Sequence, residues 1–583
     1  MAPAAGSVEP APTDPAHRPG TLARSTRALA VYAVLTIALT WPLALRLRLM
    51  EPGDAAYFAW EMAWEIHALE TDPQSLPDAN IFYPARYTLG MDEPVLGTMI
   101  LALPLSAFTH DAVLLFNLVR LLTFLLSALF AYLLARELGC GEAAALVAGA
   151  LFAFSPIRTD RLAHLSTLGT QWLPLVLLFL FRFAKGGRLR DALLSGLFFV
   201  LTAYACGYFG LSGLLVLPLS AVPLLVGRSR LLIKAVPAAL LAVLALLPLR
   251  ALHRAAFAAE SFTRSYDEAV FYSAPLQSFL ATGSDNRIWG ELTDSFRAQG
   301  SRNLFPGLLP YALALAGGLV LLRHRRPPRR EVVALGLLLL GAAAVALGPE
   351  VRLGQRSLGP GPLAWVREAL PMFQSIRVNS RAGIYLALPL SMLAGLGLQR
   401  LRLPGWATAL VAGLALLETV IVPIPEWVTV IDSSLPPPAV YAWLAEQPGE
   451  FPIVELPIIP ADGRFRRPGF EETVYMVRST HHWKRLVNGN AGFEPAGYRR
   501  IRDLCRRFPS RQSIEALRAI GVRYILLHWG GQGPNRRARI ERDLPAFGGC
   551  LREVTRLEDV SVYAIVGPPP PPSVAVPRPP PGQ

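Results

Sequence analysis

Asp54 is the second residue of GDAAYFAWEMAW (53–64), just past the first long apolar run. A carboxylate there can act as general base toward a hydroxyl, or hold a divalent cation against a diphosphate leaving group. It also stands immediately before a helix-like stretch, where Asp is a favoured N-cap, and the two readings are compatible. A second group sits in FSPIRTDRLAHLSTLGTQW (154–172), which places Arg158, Asp160, Arg161 and His164 between two apolar segments. Ionisable groups at that depth are costly and face a cavity or one another. Two arginines near an aspartate and a histidine suit a phosphate clamp with an acid/base partner; an Arg–Asp pair snorkelling at the interface is the competing reading. His164 alone would be weak evidence. Residues 251–304 add His253, Arg254, Arg264 and Glu268, and PMFQSIRVNSRAG (371–383) adds Arg377 and Arg381, four residues apart. If helical, that last pair shares one face and suits a lipid-linked phosphate or diphosphate, with ordinary phospholipid headgroups as the alternative.

These groups need a frame, and the apolar pattern supplies a membrane one. The 583 residues are 52% hydrophobic and only 17% charged, with mean hydropathy +0.38, too apolar for a soluble protein of this size. About 20 apolar residues span a bilayer. Candidate spans fall at roughly 28–47, 112–136, 142–157, 170–184, 191–206, 208–227, 233–250, 305–322, 332–348, 381–399 and 405–423. The expected fold class is therefore mainly α, a polytopic helix bundle of about eleven spans, followed by a small α/β portion.

Charge orients the spans, because cytoplasmic loops gather Lys and Arg. The basic clusters are Arg18/Arg24/Arg27, Arg136, Lys185/Arg188/Arg190, Arg228/Arg230/Lys234, Arg323 to Arg330, and Arg400/Arg402. Placing all of them inside makes 94–110 a re-entrant or interfacial segment and exports loops 48–110, 157–169, 251–304 and 349–380. Tyr57, Trp60 and Trp64 then form a face expected to lie in the headgroup layer. Everything after about 424 is exported too, with strand-like runs at 452–456, 522–527 and 561–566 and helix-like stretches at 438–447 and 511–520. Residues 1–27 and 568–583 are expected to be disordered. The multi-pass protein is placed in the inner or plasma membrane, with its N-terminus cytoplasmic.

Composition and motifs exclude several classes. The net charge of +14 sits in short loops beside apolar spans, so lipid rather than nucleic acid is the expected partner. There is no Walker loop, HExxH, CxxC pair or GxSxG elbow, so no nucleotide is expected and zinc or serine hydrolysis loses support. Cys505 and Cys550 are equally readable as a disulfide in an exported segment or as two thiols.

Taken together, GDAAYFAWEMAW (53–64), FYPARYTLG (82–90), FSPIRTDRLAHL (154–165), LFPG (304–307), PMFQSIRVNSRAG (371–383) and YMVRSTHHWKRLVNGNAGFEP (475–495) resemble the GT-C superfamily of polytopic glycosyltransferases, over roughly residues 25–567. The resemblance implies an inverting glycosyltransferase that moves a sugar from a polyprenyl-phosphate-linked donor to a glycan, lipid or protein acceptor on the exported face. It implies Asp54 as the acceptor-activating base and Asp160 as the second acidic residue, with Arg158, Arg161, His164, Arg264, Arg377 and Arg381 toward substrate. Some members use a divalent cation; this chain shows no DD or DxD in the first loop, so the residues leave metal dependence open. The WWDxG-type signature of the oligosaccharyltransferases is absent. Two rival classes are a transporter or flippase of a lipid-linked precursor, and a non-catalytic scaffold for envelope assembly. The transporter would show internal repeats and charges deep in its spans, and neither is found.

Overall fold

The computed structural model describes residues 19–298, 302–323, 329–424, 430–458 and 472–566. The expected Pro-rich tail and most of the expected disordered N-terminus lie outside the described residues, as do Arg325 and Arg326 of the basic cluster. The described chain is mainly helical. Its long helices are α1 (Pro19–Leu39), α2 (Asp54–Thr71), α3 (Ala112–Glu137), α4 (Glu142–Ala153), α5 (Leu173–Gly186), α6 (Leu189–Ala205), α7 (Gly207–Leu225), α8 (Ser229–Ala259), α9 (Leu308–Arg323), α10 (Arg329–Leu347), α11 (Ile384–Arg400) and α12 (Gly405–Leu417). Among the described residues, six stretches are long and apolar enough to cross a membrane: Ala112–Glu137, Leu165–Gly186, Gly207–Leu225, Ser229–Ala259, Arg330–Leu347 and Asn379–Arg400. The helix α1 begins at Pro19, inside the stretch expected to be disordered.

The bundle is organised around α11, in which every residue from Ile384 to Leu398 is buried. It packs on α9 so closely that a Cβ on Gly397 would lie 2.0 Å from the Leu313 carbonyl, and one on Gly317 2.2 Å from that of Leu393. Small residues permit this backbone approach in membrane bundles, where dispersion replaces the hydrophobic effect. The opposite case is α8: of its 31 residues only Ala238, Leu249 and Ala256 are buried, while Leu232, Leu240, Leu241, Leu244 and Leu247 are exposed. Residues 94–110 form two four-residue helices, Leu96–Met99 and Leu103–Ser106, too short to cross a bilayer.

At one end of the bundle the basic loops bond one another. Lys185 and Arg182 meet Glu137 at 3.0 and 3.1 Å, Lys234 Nζ donates to Gly187 O at 3.2 Å, and Gln399 Nε2 donates to Gly139 O at 3.1 Å. At the other end the remaining loops meet a five-stranded sheet. Its strands are β5 (Pro452–Leu456), β6 (Arg485–Leu486), β7 (Tyr524–His528), β8 (Leu551–Leu557) and β9 (Val560–Ile565), and two smaller pairs join β1 (Leu49–Met50) to β4 (Ile431–Asp432) and β2 (Glu350–Leu353) to β3 (Arg356–Pro360). The sheet order is β6-β5-β7-β9-β8, with β5 parallel to both β6 and β7 and the β9 contacts antiparallel. Helices α13 (Ala439–Glu446), α14 (Glu472–Ser479), α15 (Ala496–Cys505), α16 (Arg511–Ala519) and α17 (Pro534–Asp543) accompany it. Cys505 and Cys550 are both free thiols.

The sheet and the first loop share one apolar core. Tyr57, Trp60 and Trp64 cluster with Ile453, Leu456, Met476 and Leu486. The backbone of the first loop runs along β6: Tyr83 N donates to Leu486 O at 2.8 Å and Leu486 N to Asn80 O at 2.7 Å. This covers an edge that would otherwise present open hydrogen-bonding groups. The aromatic face of α2 is thus buried against protein and not laid in the headgroup layer as its spacing suggested; apolar residues at helical spacing show that a face is covered, not by what.

A buried pair fastens this assembly to the bundle. Arg120 on α3 is 1% exposed, donates to Asn117 Oδ1 at 3.0 Å and lies 3.7 Å from Glu51 Oε1, while Asn117 Nδ2 donates to the carbonyls of Leu47 and Leu49. Removing one partner strands a buried charge, which costs about 3 kcal/mol or more. Glu51→Ala should therefore lower the melting temperature of the detergent-solubilised protein clearly, and Arg120→Met on top of it should recover part of the loss. An unchanged melting temperature in Glu51→Ala would show that the pair carries no such constraint.

Candidate functional site

The helix α2 delivers Asp54. Its N-cap is Gly53, at φ 92°, whose N–H donates to Thr473 Oγ1 at 3.0 Å. Asp54 is the first helical residue, and its side chain makes no cap hydrogen bond. The capping alternative is thereby corrected. Its carboxylate is 56% exposed on a helix where 13 residues are buried, and Oδ2 meets His164 Nε2 at 3.2 Å. His164 packs against Phe58 with ring centroids 5.9 Å apart. Burial pushes the imidazole down to about 4, with Asp54 pulling the other way and Arg381 and Arg161 adding to the depression. Near neutral pH it is therefore uncharged, and a neutral imidazole beside a carboxylate can relay a proton.

The arginines divide into two kinds. Arg158 is fully buried; its guanidinium donates to the Ala153 carbonyl, to Ser127 Oγ at 3.1 Å and to Leu168 O at 2.9 Å, over the rings of Phe124 and Phe152. It holds the 154–168 loop shut and is not brought to the cluster, which corrects its expected place among the substrate-facing groups. Arg161 points the other way and donates to Ser380 Oγ at 3.3 Å. Arg381 lies in the 3-10 turn Asn379–Gly383, its guanidinium 4.7 Å over the ring of Tyr208, and that guanidinium makes no hydrogen bond or ion pair among the described residues. Arg377 lies just before that turn, 3.4 Å from Glu268 Oε1 and 5.2 Å over Tyr272. The two do not share a helical face, because the chain between them is not α-helical. They converge nonetheless: Asp92 and Tyr208 act electrostatically on both. Arg264 donates to Gly492 O at 3.1 Å and lies 3.6 Å from Glu268, which ties the site to the C-terminal segment.

Asp160 turns to a different neighbour. Its Oδ2 accepts from Asn303 Nδ2 at 3.3 Å, and a Cβ on Gly283 would fall 2.0 Å from its Oδ1, so Gly283 and Asn303 close over it. Burial pushes this carboxyl up to about 6, against the lowering effect of Arg161 and of the Asn303 bond.

Two groups escaped the sequence reading: Asp92 and Glu93, in GMDEP of the first loop. Glu93 Oε2 is buried without a hydrogen-bond partner, and lies where a Cβ on Gly207 would sit 2.7 Å from it, at the start of α7. Their sequence signal was two adjacent acids before a proline at the edge of an apolar run. Both line a cavity of about 360 Å³ whose far wall is apolar (Leu211, Leu214, Val243, Leu246, Leu247), while Tyr208, Arg250, His253, Arg254 and Arg264 stand at its polar end. A long apolar wall ending in cations and acids accommodates an amphiphile with an anionic head. Among the described residues no three His, Cys, Asp or Glu side chains group as a metal site.

The chain belongs to the family described as a domain of unknown function, DUF6311, whose profile matches residues 79–420. No curated protein matches it. Its fold is that of the GT-C glycosyltransferases. The cryo-EM structure of the arabinofuranosyltransferase AftD from Mycobacteria aligns with 93% of this chain at 17% identity and TM-score 0.55, and an R1389S variant of it at 0.56. This chain spans 40% of the length of that protein. The archaeal oligosaccharyltransferase AglB from Archaeoglobus fulgidus aligns more loosely, with 91% of this chain and 72% of its own at 13% identity and TM-score 0.48.

The raised carboxyl of Asp160 has a spectroscopic consequence. Asp160 should be protonated at about pH 5 and ionised at about pH 7, whereas an ordinary aspartate is ionised at both. The infrared band of a protonated carboxyl should therefore be weaker in Asp160→Asn than in the native protein at the lower pH, and equal at the higher. Identical spectra at both would refute the shift.

Proposed function

We propose that this protein is a membrane glycosyltransferase that moves a sugar from a polyprenyl-phosphate-linked donor to a hydroxyl acceptor, with inversion. The reading rests first on Arg381, an unpaired guanidinium beside an apolar-walled cavity and within electrostatic reach of His164, the partner of Asp54. In the proposed reaction the acceptor oxygen bonds to the anomeric carbon while the bond from that carbon to the phosphate oxygen breaks. The acceptor proton passes to the Asp54–His164 pair, and the charge gained by the polyprenyl phosphate is met by Arg381, with Arg161 and Arg377 beside it. The apolar wall between α6, α7 and α8 takes the first part of the lipid chain, and Arg250, Arg254 and Arg264 stand where its phosphate enters. Asp160 steadies the 154–168 loop from behind and acts as the second acidic residue of the site.

In this reading eleven helices span the membrane, the N-terminus is cytoplasmic, and the first loop and the C-terminal segment face outward. Gly497 is exposed with open space beyond its Cα, and Arg86 is exposed on the first loop. Single cysteines at both positions should be modified by a membrane-impermeant maleimide in intact cells. Modification only after permeabilisation would reverse the orientation and remove the acceptor from the assumed side.

A general base contributes about 10²- to 10⁴-fold to turnover. Asp54→Asn should cost that much when the purified protein is assayed against polyprenyl-phosphate sugars, with an unchanged melting temperature because Asp54 is exposed and caps nothing. Arg381→Ala should raise the KM for the donor more than it lowers kcat. Near-normal transfer by Asp54→Asn would place the base elsewhere.

A further inference from the structure

A second cavity, of about 220 Å³, lies between residues 270–298 with Arg302 and the hairpin β2–β3, and its lining is mostly polar. Arg297, Arg302 and Arg352 line it, with Glu350 as the one lining acid and Gln277 and Gln355 beside them. Arg297 is spoken for: it pairs with Asp294 at 2.7 Å and donates to the carbonyls of Thr282 and Gly290. The other two are like charges that face each other. Burial holds Arg302 below its ordinary range, and Arg352 across the cavity lowers it further. Arg302 is fixed by bonds to the carbonyls of Phe271 and Ser273 and by the Phe271 ring at 4.8 Å. Arg352 bonds only Gln355 of its own hairpin, at 2.8 and 3.2 Å; its Nε is buried without a partner, and it makes no ion pair among the described residues. The hairpin is in turn tied down by Gly354 N donating to Gln277 Oε1 at 2.8 Å.

Two guanidinium groups held facing one another in a part-buried polar cavity repel, and the repulsion is larger the lower the local dielectric. Fixed protein contacts keep both in place, and an oxyanion between them would convert one repulsion into two charge-assisted interactions. We propose that this cavity is an oxyanion site for a single phosphate group, separate from the apolar-walled cavity. The phosphate is carried either by a phospholipid headgroup or by a soluble phosphorylated compound. The site adjoins the candidate active site, because Asn303, the residue after Arg302, donates to Asp160 and Arg297 acts on the same carboxyl. Its argument does not rest on the glycosyltransferase reading.

Inorganic phosphate is the probe. The full chain, purified without phospholipid in maltoside micelles, should gain melting temperature on adding phosphate over chloride of matched ionic strength. Arg352→Gln touches only its own hairpin and should bind phosphate at least about tenfold more weakly, the loss of one hydrogen bond to a charged group. Arg381→Ala, at the donor side, should keep the full response, which separates this site from that one. In phospholipid nanodiscs the added phosphate should give no further shift if headgroups supply the ligand, and the same shift if it is soluble. No phosphate response in micelles, or an equal response from native protein and Arg352→Gln, would overturn the proposal.

Discussion

The burial of α2 is the constraint on which the rest depends. It is a helix from a loop, yet 13 of its 18 residues are buried, among them Glu61 and Glu65. Burying a carboxyl is tolerated only when it is neutral or well bonded. Burial, with Glu65 and Asp92 nearby, holds Glu61 well above the ordinary carboxylate range, and the Tyr57 hydroxyl donates to it at 3.0 Å. Glu65 accepts from Val95 N at 2.8 Å, which fastens the start of the broken 94–110 segment. The acids inside the helix are thus used as neutral or bonded struts. Of the acids on the helix, Asp54 at its first position and Glu70 near its end are left exposed.

That burial needs both partners. The aromatic face of α2 is covered by the sheet, with Trp60 Nε1 donating to Asn80 Oδ1 at 3.0 Å and Asn80 Nδ2 to Ser479 Oγ at 3.1 Å, while Glu51 and Arg120 anchor its approach to α3. The first loop and the C-terminal segment therefore hold each other in place. Arg264 extends the dependence: by bonding Gly492 O and lying beside Glu268, it connects the wall of the lipid-sized cavity to that same assembly.

Much of this was legible from residue patterns, and the failures have physical causes. The strand-like runs at 452–456, 522–527 and 561–566 coincide with β5, β7 and β9, because β-branched and aromatic runs between turn residues are local signals. Charge placement set residues 94–110 apart from the spans as a re-entrant or interfacial segment, and they fold as two four-residue helices. What covers a helix face is not local, so the aromatic stripe of α2 was assigned to lipid. Arg158 and Arg161 are three residues apart with equal charge, and only the fold shows that one seals backbone carbonyls while the other faces Ser380. Asp92 and Glu93 were missed because their importance comes from α7 and from the arginines of residues 377–381, more than 100 and nearly 300 positions away.

The position of Glu93 helps to explain how so many arginines can gather in one place. It lies at the N-terminus of the 19-residue helix α7, where the helix dipole favours negative charge, and it acts with Asp92 on Arg381. The acids balance the arginines from a distance without bonding Arg381 directly, so its donors stay available. A phosphate arriving there would meet cations that have already been desolvated, and little solvent would have to reorganise as charge moves onto it. It would also meet the carboxylates of Asp92 and Glu93, which oppose retention of a second anion. Under the proposed reaction that opposition is useful. The donor brings one phosphate charge and the product lipid phosphate carries more, so the acids that balance the arginines also weaken the hold of the site on the product.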